Sequence, residues 1–269
     1  MHFDTLKEKC EYFRGLTDYR LTPNSYVIAM LDGHCFSKLI KNKYKKPFDK
    51  DFMDMMDETA KHILRSIQGA KFAYVQSDEI SVLITDFDTP ETDSPFGYRL
   101  CKLQSILAGM ASAKFNLLEV TKEMKGSVSC QAIVDKHRLV EFDCKAWGVP
   151  DYNEAFCHFL WRQNDCVRNS KQQAAQTYLP HKELMGLDTD AQIGKLLSEM
   201  GIDWNAYTDG EKYGRLIYKE NKELTNIDYT GKEVTYNRNL WLSHGASPFA
   251  EEGNVIKELI PKRNGCGNL

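Results

Sequence analysis

The feature that most constrains this chain is the apolar run Ser25-Tyr26-Val27-Ile28-Ala29-Met30-Leu31, which stops on Asp32-Gly33. A run of this length and composition, closed by a turn-forming pair, predicts a buried strand. Residues 50–67 then place Phe52, Met55, Met56, Ala60, Ile63, Leu64 and Ile67 at three-and-four spacing, which predicts an amphipathic helix. Residues 72–76 and 80–85 predict two short strands joined through Ser77-Asp78-Glu79. A long Leu/Ala/Met-rich helix over about residues 98–124 follows. Residues 127–134 and 139–142 predict a further strand pair, turning at 135–138. The order β-α-β-β-α-β is the ferredoxin-like split arrangement, an α+β fold with an antiparallel sheet and helices on one face.

Beyond Pro150 the pattern changes. A helix is predicted over 153–177 and a shorter one over 189–200, whereas 215–244 reads as strands and loops and 245–269 as an irregular tail. The expected division is a sheet-bearing core over 1–150 and a mainly helical region over 151–269, packed on the core as one unit. No transmembrane-length apolar window and no secretory leader pattern is present, so a cytoplasmic, membrane-free protein is expected. The cysteines (10, 35, 101, 130, 144, 157, 166 and 266) never fall in Cys-x-x-Cys spacing, and reduced thiols are expected rather than a disulfide or zinc framework. The net charge of −3 excludes a chain coated in basic residues for nucleic acid, though not a local basic patch.

The chemistry concentrates where two strands end. In a ferredoxin-like sheet the first strand lies centrally beside the hairpin, so Asp32-Gly33 and Ser77-Asp78-Glu79 are expected on one rim. Two unit charges about 4 Å apart at an effective dielectric near 20 repel by roughly 4 kcal/mol, so such a cluster calls for a counter-cation. Hard oxygen ligands favour Mg²⁺. Glycine after Asp32 removes side-chain bulk where a phosphate or metal must approach. This is the skeleton of a two-metal nucleotidyl-transfer site. Asp-Gly and Ser-Asp are also frequent turn residues, so spacing alone leaves ordinary turns as a second reading.

Phosphate partners are available. Residues 38–50 hold six lysines and one acid, Asp49, and Arg99 and Lys102 share a face near the start of the long helix. Both groups suit triphosphate oxygens, and each alone also suits a solvated face. In the second half, Arg162, Asp165, Arg168 and Asn169 lie on neighbouring turns of one helix face. They suit sugar-phosphate contacts or an internal salt-bridge ladder equally. No Gly-x-x-x-x-Gly-Lys-Ser/Thr loop, Gly-x-Gly-x-x-Gly or Gly-x-Ser-x-Gly elbow occurs. His34 and His181 lack an identified partner and read as polar contacts.

Taken in series, the motifs resemble a known family. Leu31-Asp32-Gly33-His34-Cys35-Phe36, Lys46-Pro47-Phe48-Asp49 and Tyr74-Val75-Gln76-Ser77-Asp78-Glu79 match tRNA-His guanylyltransferase and its relatives in order and spacing. So do Phe142-Asp143-Cys144-Lys145, Phe159-Leu160-Trp161-Arg162-Gln163-Asn164-Asp165, Arg168-Asn169-Ser170 and His181-Lys182-Glu183-Leu184. The match spans roughly residues 20–220. Single motifs of this kind are weak, and seven in series are specific.

The resemblance implies a polymerase-palm core that adds nucleotides in the 3′-to-5′ direction to the 5′ end of tRNA. The 5′-phosphate is first activated with ATP or GTP, and the 3′-hydroxyl of an incoming nucleoside triphosphate then attacks it. By position, it implies that Asp32, the Gly33 carbonyl and Asp78 bind two Mg²⁺ ions with Glu79 in support. Lys46, Ser77 and the backbone of His34, Cys35 and Phe36 would hold one triphosphate, and Asp49 would contact a base edge. Arg99 and Lys102 would grip a second triphosphate, and Arg162, Arg168, Asn169 and Lys182 would line the tRNA end and activation site. A homotetramer, a dimer of dimers, is implied as well. Val167-Arg168-Asn169-Ser170 stands where eukaryotic enzymes of the family carry His-Ile-Asn-Asn, so the resemblance favours the bacterial and archaeal type and template-dependent 5′-end repair. The alternatives are addition of one guanosine to tRNA-His, and an RNA-end binding protein without catalysis. Met30, His34, Cys35 and Lys145 depart from the common pattern, and Lys145 in place of arginine gives up a bidentate fork.

Overall fold

The computed structural model describes residues 2–89, 91–124 and 139–263. Its centre is β1 (Tyr26–His34), flanked by β3 (Glu79–Ile84) and β4 (Glu141–Val149), with β2 (Ala70–Gln76) outside β3. Strand β1 runs three residues past the predicted Leu31, so Asp32 and Gly33 are strand residues rather than a turn beyond it. Ladders on both sides, to Glu79 and to Glu141–Asp143, satisfy the backbone there and hold polar residues in extended geometry. The strand predicted over 127–134 and the turn at 135–138 lie outside the described residues.

Side-chain alternation gives the sheet two buried faces. Val27, Ala29 and Leu31 of β1 pack with Val75, Val82 and Ile84 against α3 (Lys50–Ser66) and α4 (Leu100–Met124). These are the two palm helices, on one face as predicted. Asp49 caps α3, accepting the Phe52 and Lys45 N–H groups at 3.0 and 2.9 Å. On the other face Tyr26, Ile28, Phe72 and Leu83 meet α5 (Tyr152–Tyr178), with the Phe72 and Phe159 rings 4.7 Å apart. Each such buried aliphatic or aromatic side chain contributes roughly 1.5–3 kcal/mol.

Two short pieces precede the palm helices. Helix α1 (Leu6–Gly15), closed by a Thr5–Glu8 capping box, buries none of its residues and was not foreseen in the sequence. Helix α2 (Phe36–Lys43) follows β1 directly. After α5 come α6 (His181–Leu184), α7 (Thr189–Met200) and α8 (Asp209–Lys212).

Residues 215–244, expected as strands and loops, form two strands of 13 residues, β5 (Arg215–Ile227) and β6 (Glu233–Gly245). Strand β5 pairs with β2, extending the sheet to the order β4-β1-β3-β2-β5-β6. Only the first residues of β5 are buried; its distal half is exposed and carries no in–out alternation to read. The tail is irregular but not loose. Phe249, Ile256 and Ile260 are buried on the α5 face, α9 (Ile256–Leu259) forms there, and Tyr26 donates to the Pro261 carbonyl at 2.7 Å. Among the described residues the cysteines are free thiols, and no helix is long and apolar enough to cross a membrane.

Candidate active site at the sheet rim

The rim where β1 ends and β2 turns into β3 gathers the acids. Asp32 lies directly opposite Glu79 on one side and Asp143 on the other, so three carboxylates stand in one row on the α5 face. Asp78 follows Ser77, whose positive φ of 44° tightens the β2–β3 turn. The Gly33 N–H donates to the Asp78 carbonyl at 3.1 Å and pins the hairpin tip to the end of β1. The two acidic clusters therefore meet, as the order of the elements predicted.

Their electrostatics reflect crowding. Burial pushes the Asp78 carboxyl up to about 6, against a hydrogen bond from Ser77, and the charge of Asp32 pushes it the same way. Burial raises Asp32 too, with Asp143 adding to the effect and Lys145 and Arg162 opposing it. Neither Asp32 nor Asp78 forms an ion pair among the described residues. Glu79 is different. Arg162, only 7% exposed, donates from Nε to Oε1 at 2.7 Å and from Nη2 to Oε2 at 2.6 Å, while Gln76 reaches Oε1 at 3.3 Å. Nη1 of the same arginine meets Asp165 at 3.0 Å, and Asp165 also pairs with Arg168. The salt-bridge ladder expected on this helix face is present, and its buried end is fixed on the acidic rim.

Glycine at position 33 has a packing reason beside the expected ligand clearance. A Cβ there would lie 2.4 Å from the Phe36 ring. Phe36, 1% exposed, packs with Phe115 and Phe142 at centroid distances of 5.2 and 5.0 Å. Its side chain is core, and what it offers a ligand is backbone. Cys35 takes a left-handed φ of 61° to turn β1 into α2, and His34 faces Glu141 at 3.7 Å. The first turn of α2, directly after Cys35, carries N–H groups without helical partners.

A cleft of about 360 Å³ opens from the rim between the start of α3 and α5, lined by Asp32, Asp78, Phe48, Asp49, Asn169 and Arg215 among others. A neighbouring hollow of about 350 Å³ continues across Ser77, Asp78 and Asn169 to Lys46. Asp32, Ser77, Asp78, Lys46, Asp49, Arg162 and Asn169 are thus brought together. Arg99 and Lys102 are not: they line a separate hollow with Arg14 and Ser105, where Arg99 pairs with Asp18 at 2.7 Å and Lys102 lies over the Phe96 ring. Arg168 and Lys182 are exposed at the surface outside the cleft's wall. The other lysines of the basic stretch partly disperse, Lys43 onto Glu119 and Glu123, and Lys50 onto Asp54.

Two residues were missed. Asp143 was legible as part of a motif, and in–out alternation with Phe142 in the core would have put it on the face of Asp32. Arg215 had no local signal, since only the pairing of β5 with β2 brings it to the cleft.

The donor set suits a hard cation. Two carboxylates without cationic partners and a backbone carbonyl are oxygen ligands, and Mg²⁺ is held by one or two carboxylates together with substrate phosphates. Among the described residues no group of three or more His, Cys, Asp or Glu side chains is placed to hold a metal ion by itself.

An antiparallel sheet of this order, with its acids on one rim above a cleft, is the palm-like arrangement expected from the sequence. Comparison with known proteins narrows the class. Residues 7–150 match the family model of tRNAHis guanylyltransferase (Thg1). A bacterial tRNA(His) guanylyltransferase-like protein solved in complex with ATP is 30% identical, with a TM-score of 0.80 over 96% of this chain and 99% of its own. A bacterial structure of the same description in complex with GTP is 28% identical, with a TM-score of 0.75 and the same coverage. The tRNA(His) guanylyltransferase of Debaryomyces hansenii is 26% identical over 236 residues, 83% of each chain. The chain belongs to the tRNAHis guanylyltransferase family.

Proposed function

We propose that this enzyme adds nucleotides in the 3′-to-5′ direction to the 5′ end of tRNA, after activation of the 5′-phosphate by ATP or GTP, and that it copies the base opposite. The observation that carries the reading is the Gly33–Asp78 hydrogen bond, which locks two under-compensated carboxylates together at the mouth of the cleft. Asp32, Asp78 and the Gly33 carbonyl would hold Mg²⁺; when bound, it neutralises phosphate charge and activates the attacking hydroxyl.

The chain's own groups supply the rest. Lys46, Ser77 and the first-turn amides of α2 receive a triphosphate beside the rim. Asp49 faces the base from the start of α3. Arg162 holds Glu79 on the rim of the cleft, where Glu79 supports the metal-binding acids and Arg162 lines the activation site. Asn169 reaches the activation site from α5, and Arg168 and Lys182 meet the RNA backbone outside. Arg99 and Lys102 take a second triphosphate in their separate hollow. A homotetramer would assemble the tRNA surface from chains whose individual net charge is only −3.

The ATP and GTP complexes of the bacterial proteins support nucleotide binding, and Val167-Arg168-Asn169-Ser170 supports templated addition. Single-guanosine addition, the activity named in the D. hansenii relative, is the second reading. The test is a 5′-monophosphorylated, 5′-truncated tRNA incubated with the four nucleoside triphosphates and Mg²⁺. Products longer at the 5′ end are expected, and RNA that is bound but never extended contradicts catalysis.

A further inference from the structure

Trp161 of α5 is 54% exposed, yet the contacts around it fix the way it faces. The Arg162 guanidinium lies over its ring, 4.4 Å from the centroid, and that guanidinium is itself held by Glu79. The His158 ring, buried three residues earlier, meets the indole at 5.9 Å and the Trp147 ring of β4 at 5.3 Å. Both braces are tied to β3, Arg162 to Glu79 and His158 to Ser81 at 3.2 Å. The indole is thus a fixed aromatic surface with more than half of its area in solvent.

Helix geometry gives its side of the rim. Gln163 donates to the Tyr213 and Ser247 carbonyls, just outside β5 and β6. Trp161, about 200° round the helix from Gln163, faces the other way, toward β4. Arg162 and His158 mark two rows of the sheet beneath: Glu79, Asp32 and Asp143 in the first, Ser81, Met30 and Lys145 in the second. Asp143 and Lys145, on β4, are exposed, and the charge of Lys145 opposes that of Asp32. Arg168, exposed and seven residues after Trp161, continues the same flank about two turns on.

The cleft lies on the opposite side of Asp32, and none of its lining residues comes from β4. In an in-line transfer the attacking and leaving oxygens stand on opposite sides of the phosphorus. With the triphosphate and its hydroxyl in the cleft, the phosphate under attack reaches the rim from the β4 side. A cation, Lys145, and a flat aromatic face, Trp161, stand there together, and they match the two parts of a terminal nucleotide, its phosphate and its base. The exposed helix neighbours of Trp161, Asn164 and Arg168, are polar, whereas a protein interface needs a broader apolar core.

We propose that Trp161 is the stacking platform for the 5′-terminal base of the RNA, with Lys145 beside its phosphate, on the β4 flank of the rim. The inference rests on the rim being a nucleotidyl-transfer site for RNA 5′ ends, and it places the RNA on one named side of Asp32.

The test is a binding cycle between protein and RNA, read by fluorescence anisotropy on the full chain without nucleotide addition. Two 5′-monophosphorylated, 5′-truncated tRNAs labelled at the 3′ end are compared, one intact and one abasic at its 5′-terminal nucleotide. Wild-type protein is expected to bind the intact end roughly ten- to a hundredfold more tightly. Trp161→Ala is expected to bind both RNAs alike, at the level of wild type with the abasic one. Trp161→Leu, which keeps apolar bulk over Arg162 without a ring, is expected to do the same and decides should the alanine variant not fold. A merely structural indole would weaken both RNAs equally in these variants and preserve their ratio, and that result overturns the proposal. A wild-type protein that binds the two RNAs equally also overturns it and leaves the RNA-end reading standing. Binding of neither RNA by wild type overturns the platform and the RNA-end reading together.

Discussion

Arg162 of α5 grips Glu79 of β3 at two points, 2.7 and 2.6 Å, from across the layer boundary between helix and sheet. The pair fixes the long helix over the rim and neutralises one of the three acids that stand in a row there. It leaves Asp32 and Asp143 of that row, with Asp78 beside them, outside any ion pair among the described residues.

Breaking this pair is predicted to be expensive. Removing one partner of a buried ion pair costs about 3–5 kcal/mol, because the other charge stays buried. Arg162→Ala is expected in that range by urea unfolding, and Arg162→Lys at a smaller loss. A shift below about 0.5 kcal/mol, the size of an ordinary surface change, contradicts the buried-pair account.

Asp78 makes stability depend on pH in a definite direction. Its carboxyl is raised from 3.8 to about 6, so the folded state holds the proton more tightly than the unfolded one. That contribution is complete below about pH 4 and is lost as pH rises through about 6, amounting to about 3 kcal/mol if the whole shift is realised. Asp78→Asn is therefore expected to be more stable than wild type at pH 7 while losing activity. Thermal melts from pH 4 to 8 check this, and a variant destabilised at pH 7 contradicts it.

Mg²⁺ is predicted to relieve the same crowding. At ten times its dissociation constant a ligand bound only by the folded state adds about 1.4 kcal/mol. Melting of wild type with Mg²⁺ should rise accordingly, and melting of Asp78→Asn should respond little. An equal rise in both places the ion elsewhere.

Gly33→Ala tests the packing explanation for that glycine. With the new Cβ 2.4 Å from the Phe36 ring, the aromatic cluster must shift, at about 1–3 kcal/mol for an overpacked core. Adding Phe36→Leu should recover part of the loss in a double-mutant cycle. If the single variant is as stable as wild type but inactive, clearance for a ligand is the better explanation.

What was legible was local. The apolar run to Leu31, the helix after Asp49 and the hairpin around Ser77 are short-range patterns, and their order alone placed Asp32 beside Asp78. Asp49 was legible as a polar residue at the right spot, though its N-cap role needed the helix start. The contacts that organise the rest join distant segments: Arg162 to Glu79, Arg215 to Asp57, and β5 to β2. No periodicity announces them. The Phe36 ring behind Gly33 shows the same limit at short range, since a glycine's reason depends on which neighbour fills its space.

The most direct measurement is 5′-end extension of a set of truncated tRNAs in which the base opposite the first missing position is varied, with each nucleoside triphosphate supplied singly alongside ATP, and with Asp78→Asn as the control. The account predicts addition of the complementary nucleotide in each case and none in the control. Guanosine added whatever lies opposite, or extension that persists in Asp78→Asn, contradicts it.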